Sequence, residues 1–423
     1  MAKIRTIQDV ADYRLCIGCG ACAHVLGNDA AEMVDIPRVG IRPRFTRELT
    51  VDENVRALAV CPGVQVERPA VAASAEQPDA FDHQLAGGGL GVWEGWASDA
   101  QIRAGGSSGG VITALSLYCI EQFGVASVSH VGMHDEQPWK NKNIVSGNRD
   151  DLMRGLGSRY AASAPCLSLS DIEAADGRTL FVGKPCDAAA VALVLKQKPH
   201  LRQKIAGVIS FFCAGTPGSA AAVDLLRKQG ADPQQLQSVK FRGDGWPGRF
   251  RAVDGGGNEV ASLSYAQSWG ELQRSRGLRC SLCADGMGEV ADIACGDAWH
   301  RFADDGNPGV SVVIARTRRG LEIVEGARQA GYLELEPAGV DAILASQGSD
   351  AGLIRRRSDL WGRLAVFRLL RIPCPRYEGF ALLAGWLQIP CPRKLRSLFG
   401  TVVRVFRKRL LTRQRFDPLE QEK

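Results

Sequence analysis

Cys16, Cys19 and Cys22 recur at two-residue intervals in C-I-G-C-G-A-C, and a distant Cys61 is followed at once by Pro62. A cubane [4Fe–4S] cluster needs four thiolates converging on its corners. Two-residue spacings let one short loop wrap three of them, and the fourth arrives from elsewhere with a proline that turns the chain away. Gly18, Gly20 and Ala21 are small enough for backbone amides to face the sulfurs. A structural zinc site also uses Cys-x₂-Cys pairs, but it is normally built from two separated pairs. The spacing therefore predicts one [4Fe–4S] cluster on Cys16, Cys19, Cys22 and Cys61.

The next cysteines are informative through topology. A strand over 179–183 runs into Lys184-Pro185-Cys186 and a helix, and a strand over 205–212 runs into Cys213 and another helix. If both strands are parallel, Cys186 and Cys213 share the carboxyl edge of the sheet, where α/β proteins place ligands. Cys280 and Cys283 then supply a close pair from a loop, making four thiolates for a second cluster. The alternative is that Cys186 and Cys213 are buried small residues. Cys295 is a spare candidate, Cys119 sits in an apolar helix, and Cys166, Cys374 and Cys391 show no partner pattern.

The turn A-G-G-S-S-G-G at 104–110 opens a strong helix. Glycines allow close backbone approach, and the free amides of a helix start favour a phosphate. The turn is neither a P-loop nor a G-x-G-x-x-G fingerprint. It does match G-x-S-x-G over 105–109, which raises a hydrolase nucleophile at Ser107. That reading needs a buried strand just before the turn and a well-placed histidine. His130, His134, His200 and His300 have no acid-paired context in the sequence, so phosphate cradling is preferred.

The elements that must position these groups follow from periodicity. Short β-branched runs at 125–133, 179–183, 205–212 and 310–315 alternate with helical runs at 109–123, 187–198 and 217–229. Such alternation predicts βαβ units and a mainly parallel sheet. Thr216 and Pro217 suit an N-cap and first helical position. The expected organisation is α/β: a small ferredoxin-like (α+β) domain over 1–70, a linker over 71–91, a mainly parallel α/β domain over 92–347, and a basic C-terminal tail over 348–423.

Composition narrows the class. The 423 residues carry 45% hydrophobic and 23% charged residues, ordinary for a globular protein. Thirteen cysteines without an apolar leader at the N-terminus point to metal or redox work rather than a disulfide framework, and to a cytoplasmic setting. No stretch reaches the roughly 18 apolar residues that span a bilayer. The net charge of +6 conceals an asymmetry: residues 354–423 hold 17 Lys/Arg and 5 Asp/Glu, while the remainder holds 35 and 41. The basic stretch suits either a peripheral contact with an anionic membrane surface or a helix pair packed on the acidic body. No nucleic-acid module accompanies it.

Taken in order, these motifs resemble the β-subunit family of the coenzyme F(420) (deazaflavin) hydrogenases and dehydrogenases, which includes 7-hydroxymethyl chlorophyll a reductases. The similarity covers about residues 1–335. It rests on the ferredoxin half-motif, GGSSGGVITAL at 106–115, GSRYAAS at 157–163, LFVGKPCDAAAV at 180–191, FFCAGTP at 211–217, LRCSLCADG at 278–286 and ADIACGDAW at 291–299. The resemblance implies FAD beside one or two [4Fe–4S] clusters. It also implies that Gly106, Ser107, Ser108, Gly109, Gly110, Ser158, Arg159 and Tyr160 face the flavin, and that Cys280 and Cys283, with Cys186 and Cys213, hold the inner cluster. Lys184 and Asp187 depart from the family pattern beside the expected redox site.

The expected function is that of an iron–sulfur flavoprotein oxidoreductase. Electrons from a ferredoxin or another redox protein would pass through the clusters to FAD and on to a small organic substrate or a deazaflavin-type coenzyme, or flow the other way. Flavin suits this role because it joins one-electron to two-electron chemistry. Alternatives are an electron-relay subunit with no substrate of its own and a hydrolase using Ser107. Tyr160, Lys184, Asp187 and Asp297 are candidate proton donors without a decisive signal.

Overall fold

The computed structural model describes residues 4–71, 79–303, 306–348 and 352–414. At its centre is an eight-stranded sheet in the spatial order Leu333–Ala338, Gly91–Ala97, Ser311–Ala315, Ile293–Asp297, Ile205–Phe211, Thr179–Gly183, Ser127–Met133 and Asn141–Ser146. The strands Thr179–Gly183 and Ser311–Ala315 are buried at every position, as apolar strands covered on both faces should be.

The expectation of a mainly parallel sheet needs correction. Only three of the seven neighbouring pairings, those joining the strands from Ile293–Asp297 to Ser127–Met133, are parallel. The other four pairings are antiparallel, so the sheet is mixed. One cause is loop length: seven residues join Ser127–Met133 to Asn141–Ser146, enough for a hairpin and too few for a parallel crossover.

Each face of the sheet has its own core. One face packs Leu180, Ile209, Ile293 and Val313 against the helices Val111–Glu121 and Arg318–Gln329. On the other, Phe181 and Val208 pack against the helix Pro185–Gln197, and that core runs on into the N-terminal segment and the C-terminal helices. A three-stranded antiparallel sheet, Leu236–Lys240, Arg249–Asp254 and Glu259–Ser264, forms a lobe with the helices Ser219–Lys228 and Tyr265–Leu272.

Residues 4–67 are α+β. Capping boxes at Thr6/Asp9 and Thr50/Glu53 start the helices Ile7–Asp12 and Val51–Ala59, which flank the hairpin Ala31–Ile36/Gly40–Phe45. This segment does not have a separate core. Val10, Leu15, Ala57 and Val60 share theirs with Ala188–Val194 and with Leu360, Leu364 and Phe367. Within the stretch read as a linker, Phe81–His83 and Gly87–Gly89 form a hairpin, and buried Arg316 donates to the carbonyls of Ala86 and Gly88 at 3.0 and 2.6 Å. Residues 72–78 of that stretch lie outside the described residues.

The basic segment packs on the body. The helix Gly352–Leu369 buries Arg357, which pairs with buried Glu289, and the helix Cys391–Arg407 rests on it. Asp359 accepts from Arg363 at 3.1 Å and Arg393 at 3.0 Å. Between these helices Arg376–Glu378 adds a parallel strand beside Gln65–Glu67. Among the described residues no helix is long and apolar enough to cross a membrane.

Candidate redox site

The first thiol group sits in a loop that only glycine permits. Gly18 and Gly20 have φ of +75° and +90°; a Cβ on Gly18 would lie 2.5 Å from the Ile41 carbonyl oxygen, and one on Gly20 would lie 2.9 Å from Leu167. Gly20 caps the helix Ala21–Leu26, which carries Cys22. Backbone amides face the sulfurs: Gly18 N–H donates to Cys16 Sγ at 3.3 Å, Ala23 to Cys22, and Gly63 and Val64 to Cys61. Burial raises the Cys16, Cys22 and Cys61 thiols, and repulsion from Cys19 adds to this at each, while Arg42 draws Cys16 back down. Cys19 and Cys22 are buried, while Cys16 and Cys61 are half-buried and form the outer edge. Small-residue loops and sulfur-directed amides are the features a cubane cluster needs, and these four residues fit one.

Cys186 follows the strand Thr179–Gly183 and Cys213 follows its parallel neighbour Ile205–Phe211, so both stand at the same sheet edge, as the topology argument expected. Cys280 lies on the short helix Leu278–Ser281 and Cys283 just beyond it. The four thiols are electrostatic neighbours: Cys213 and Cys283 act on Cys186, and Cys280 and Cys283 act on Cys213. Burial pushes Cys213 up to about 12. Around them stand Lys184, Arg276, Arg279 and Arg356, a cationic shell suited to a cluster whose thiolates carry net negative charge. Among the described residues no three His, Cys, Asp or Glu side chains close around a single metal ion. One tetrahedral zinc with Zn–S of about 2.3 Å would draw its sulfurs much closer together than a cubane does.

Several residues at the site carry no signal in the sequence. Cys166 is fully buried against Cys19, its N–H donating to the Cys19 carbonyl at 2.8 Å, which makes it a fifth thiol beside the first group. Arg279 is buried next to Cys280 and donates to the carbonyl of Pro62 at 2.7 Å. One guanidinium thereby bridges the residue after Cys61 and the residue before Cys280. Tyr377 from the C-terminal segment lies 5.5 Å beneath it.

A cavity of about 300 Å³ opens on the inner group. It is lined by Gly106, Ser107, Ser108 and Gly110 from the turn, by Ser158, Arg159 and Tyr160, and by Lys184, Asp187 and Cys213. Gly109 does not line it. Its carbonyl accepts from Ala97 N–H at 2.7 Å, and a Cβ there would meet the Gly95 carbonyl oxygen at 2.6 Å. Gly110, at φ +72°, caps the helix Val111–Glu121, whose first residues Val111, Ile112 and Thr113 line the cavity, a suitable end for a phosphate. Arg159 lines the cavity and also braces its surroundings. Its guanidinium is spent on Asn141 Oδ1 and the carbonyls of Val239, Pro138 and Lys140, so it ties loops together.

The far wall is aromatic. Tyr265 and Trp299 stack at 5.4 Å, and Tyr160 lies 4.9 Å from Trp269. Arg242, buried and paired with Asp297, lies 4.7 Å over Tyr265 and 5.0 Å over Trp299. Such walls accept a planar conjugated ring. At the junction of cavity and inner thiols, Lys184 Nζ is 2.7 Å from Asp187 Oδ2 and 3.3 Å from Ser163 Oγ. Burial pulls the Lys184 amine down, but Asp187 and the neighbouring thiols more than offset it. Asp187 Oδ1 is buried without a hydrogen-bond partner among the described residues.

Ser107 lacks the surroundings of a nucleophile. Its Oγ accepts the Ser158 N–H at 2.6 Å, and the turn follows the short helix Ala100–Gly105 rather than a strand. His200 and His300 do sit against carboxylates, Glu173 and Glu94, but Ser107 makes no hydrogen bond to a histidine. The helix expected from Pro217 begins at Ser219, leaving Thr216 and Pro217 to line the cavity.

Fold and site together define the class: a mixed α/β oxidoreductase-type chain, with thiol groups and a ring-sized cavity at the carboxyl edge of its parallel strands. More narrowly, the chain belongs to the coenzyme F420 hydrogenase/dehydrogenase β-subunit family. The N-terminal family model matches residues 92–170 and the C-terminal model 176–340. Coenzyme F420 hydrogenase subunit beta of Methanosarcina barkeri is 26% identical over 247 residues, covering 57% of this chain and 79% of that protein. Coenzyme F420-dependent sulfite reductase of Methanocaldococcus jannaschii is 23% identical over 332 residues, 75% of this chain and 46% of that one. F420-dependent formate dehydrogenase 1 subunit beta of Methanococcus maripaludis is 25% identical, covering 56% of this chain and 59% of its own length. In fold, a chain from the F420-reducing [NiFe] hydrogenase complex of Methanosarcina barkeri superposes with a TM-score of 0.50 at 21% identity, over 65% of this chain and 92% of its own.

Proposed function

We propose that this chain is an iron–sulfur flavoprotein that exchanges electrons with a redox protein at the Cys16–Cys61 edge and delivers them to a two-electron acceptor in the cavity. The observation that carries this reading is the continuity of the three stations. Cys61-Pro62 touches Arg279, Arg279 adjoins Cys280, and Cys213 of the same inner group lines the cavity. FAD bound there would supply the exchange between one-electron and two-electron chemistry. The chain's own residues do the rest. The 106–110 turn and the helix behind it hold a phosphate, the aromatic wall holds a ring, and Lys184 and Arg356 place positive charge where electrons arrive. The acceptor is an organic substrate or a deazaflavin-type coenzyme, the latter favoured by the names of the relatives.

Those relatives also support the narrower reading of a relay subunit that hands electrons to a partner chain, since two of the three are named as subunits. Anaerobically purified protein decides first: about four to eight iron atoms with matching sulfide, plus one flavin, are expected per chain. A colourless, iron-free preparation sinks the proposal. If iron and flavin are present, flavin reduction by a reduced ferredoxin separates the enzyme from a relay that reacts only with its partner subunit.

We also propose that the helix Cys391–Arg407 makes a peripheral contact with an anionic membrane. Leu395, Phe399, Val403 and Phe406 form an exposed stripe along it, and Arg396 and Arg407 flank that stripe.

A further inference from the structure

Near the first thiol group lies a groove of about 620 Å³ whose charged lining is entirely cationic: Arg14, Arg38, Arg42, Arg274, Arg276 and Lys408. Arg38 and Arg274 have carboxylate partners, Asp224 and Glu271, each at 3.1 Å and outside the lining. The other four have none among the described residues. Arg14 donates to the Lys408 carbonyl at 2.6 Å, Arg42 to those of Ile41 and Val39, and Arg276 to those of Gln273 and Ala214. Arg42 is 8% exposed and its Nε has no hydrogen-bond partner among the described residues. Burial, then the neighbouring Arg404, Arg407 and Arg14, depress the Lys408 amine, so the cations crowd one another.

Both thiol groups lie just behind the groove's walls: Arg42 donates to the Ile41 carbonyl, which packs against Gly18 between Cys16 and Cys19, and Gly277 and Leu278 of the lining lead into Cys280. Arg42 acts on the Cys16 thiol, and Arg276 acts with Cys213 and Cys280. Uncompensated positive charge beside a half-buried electron-transfer edge attracts a partner of opposite charge and aligns it, raising the encounter rate while leaving dissociation fast. A small anion would neutralise one or two of these cations, whereas an acidic protein surface reaches across all six.

We infer that this groove is the docking site of an acidic one-electron carrier protein, with the electron crossing at Cys16. The inference rests on the proposed redox function, because it takes Cys16–Cys61 as the electron intake. The carrier loses one electron and the cluster on Cys16, Cys19, Cys22 and Cys61 gains it, with no bond made or broken.

The test uses the full, iron-loaded chain and an acidic two-iron ferredoxin, mixed anaerobically in a stopped-flow instrument. Reduction by dithionite is recorded first; a chain with no reducible cluster ends both the functional reading and this one. With the cluster present, the second-order rate with ferredoxin should fall about tenfold between roughly 20 and 300 mM salt. Arg274→Glu/Lys408→Glu, both exposed, should lower the low-salt rate about tenfold while leaving iron content and dithionite reduction unchanged. Arg328→Glu, outside the groove, should leave the rate as it is. Equal rates for the groove variant and the parent overturn the inference while leaving the redox function standing. Inhibition by inorganic phosphate beyond that of matched chloride, or by phosphatidylglycerol vesicles in the Leu395→Ser/Phe399→Ser/Phe406→Ser background, overturns it in favour of a small-anion or lipid-headgroup site.

Discussion

On the proposed function two cysteine sets of the same size do different work, and single substitutions separate them. Cys61 belongs to the group at the edge, Cys283 to the group beside the cavity. Cys61→Ser should remove about four iron atoms per chain and leave the inner cluster's spectrum; Cys283→Ser should do the reverse. Iron analysis with electron paramagnetic resonance reads both, and loss of all iron in either variant would show a single shared site. His130 illustrates a different residue-scale effect. Burial holds its imidazole down at about 4, and its Nε2 meets Ser146 Oγ at 2.8 Å. In the folded chain it is neutral above that value, whereas the unfolded chain takes up a proton near 6.5. Stability should therefore fall as pH drops from about 6.5 to about 4, by up to roughly 3 kcal/mol from this group. Denaturant melts of parent and His130→Asn at pH 7 and pH 5 check it, the variant being expected to show the shallower pH slope.

At the scale of elements, strands and helices bring scattered residues to one edge, and this was largely legible. The strand-then-cysteine pattern placed Cys186 and Cys213 together because a parallel pair must present both carboxyl ends on one side. Strand direction at the flanks was not legible, since a period of two is the same in either orientation. Nor were Cys166, Arg242 and Arg279, whose partners Cys19, Asp297 and Pro62 lie 147, 55 and 217 residues away. Such contacts arise from packing and leave no local period. The helix Gly352–Leu369 gives the clearest element-scale test. Arg357→Ala would remove the close partner of buried Glu289, leaving it Arg68 at 3.5 Å and the more distant field of Arg316, and should cost about 3–5 kcal/mol in chemical denaturation. Arg357→Ala/Glu289→Met should recover much of that loss; an equally unstable double variant would show that the pair is not the cause.

For the whole molecule, the C-terminal segment has two faces. Its inner face completes the core around the first thiol group, through Leu360, Leu364, Phe367 and Val405. Its outer face exposes Phe399 at 72%, Leu395 at 68% and Phe406 at 59%, beyond what the seam with the body covers. Phosphatidylglycerol vesicles should co-sediment the chain in a salt-sensitive manner. Leu395→Ser/Phe399→Ser/Phe406→Ser should weaken this about tenfold without loss of stability, because these side chains contribute little to the core. A parent protein that stays in the supernatant at low salt rejects the membrane contact.

The strand Arg376–Glu378 closes the edge beside Gln65–Glu67, with pairings 311 residues apart in sequence. On the ribosome, at about 5–20 residues per second, the first thiol loop is made some 15–60 s before the strand that seals its neighbour exists. Throughout that interval Cys61 waits on an unfinished edge. Iron delivered early would meet an open, half-built cradle, and iron delivered late would meet a closed one. On the proposed function the order of translation would make cluster loading a timed event, and oxygen reaching the nascent chain would find its thiols at their least protected.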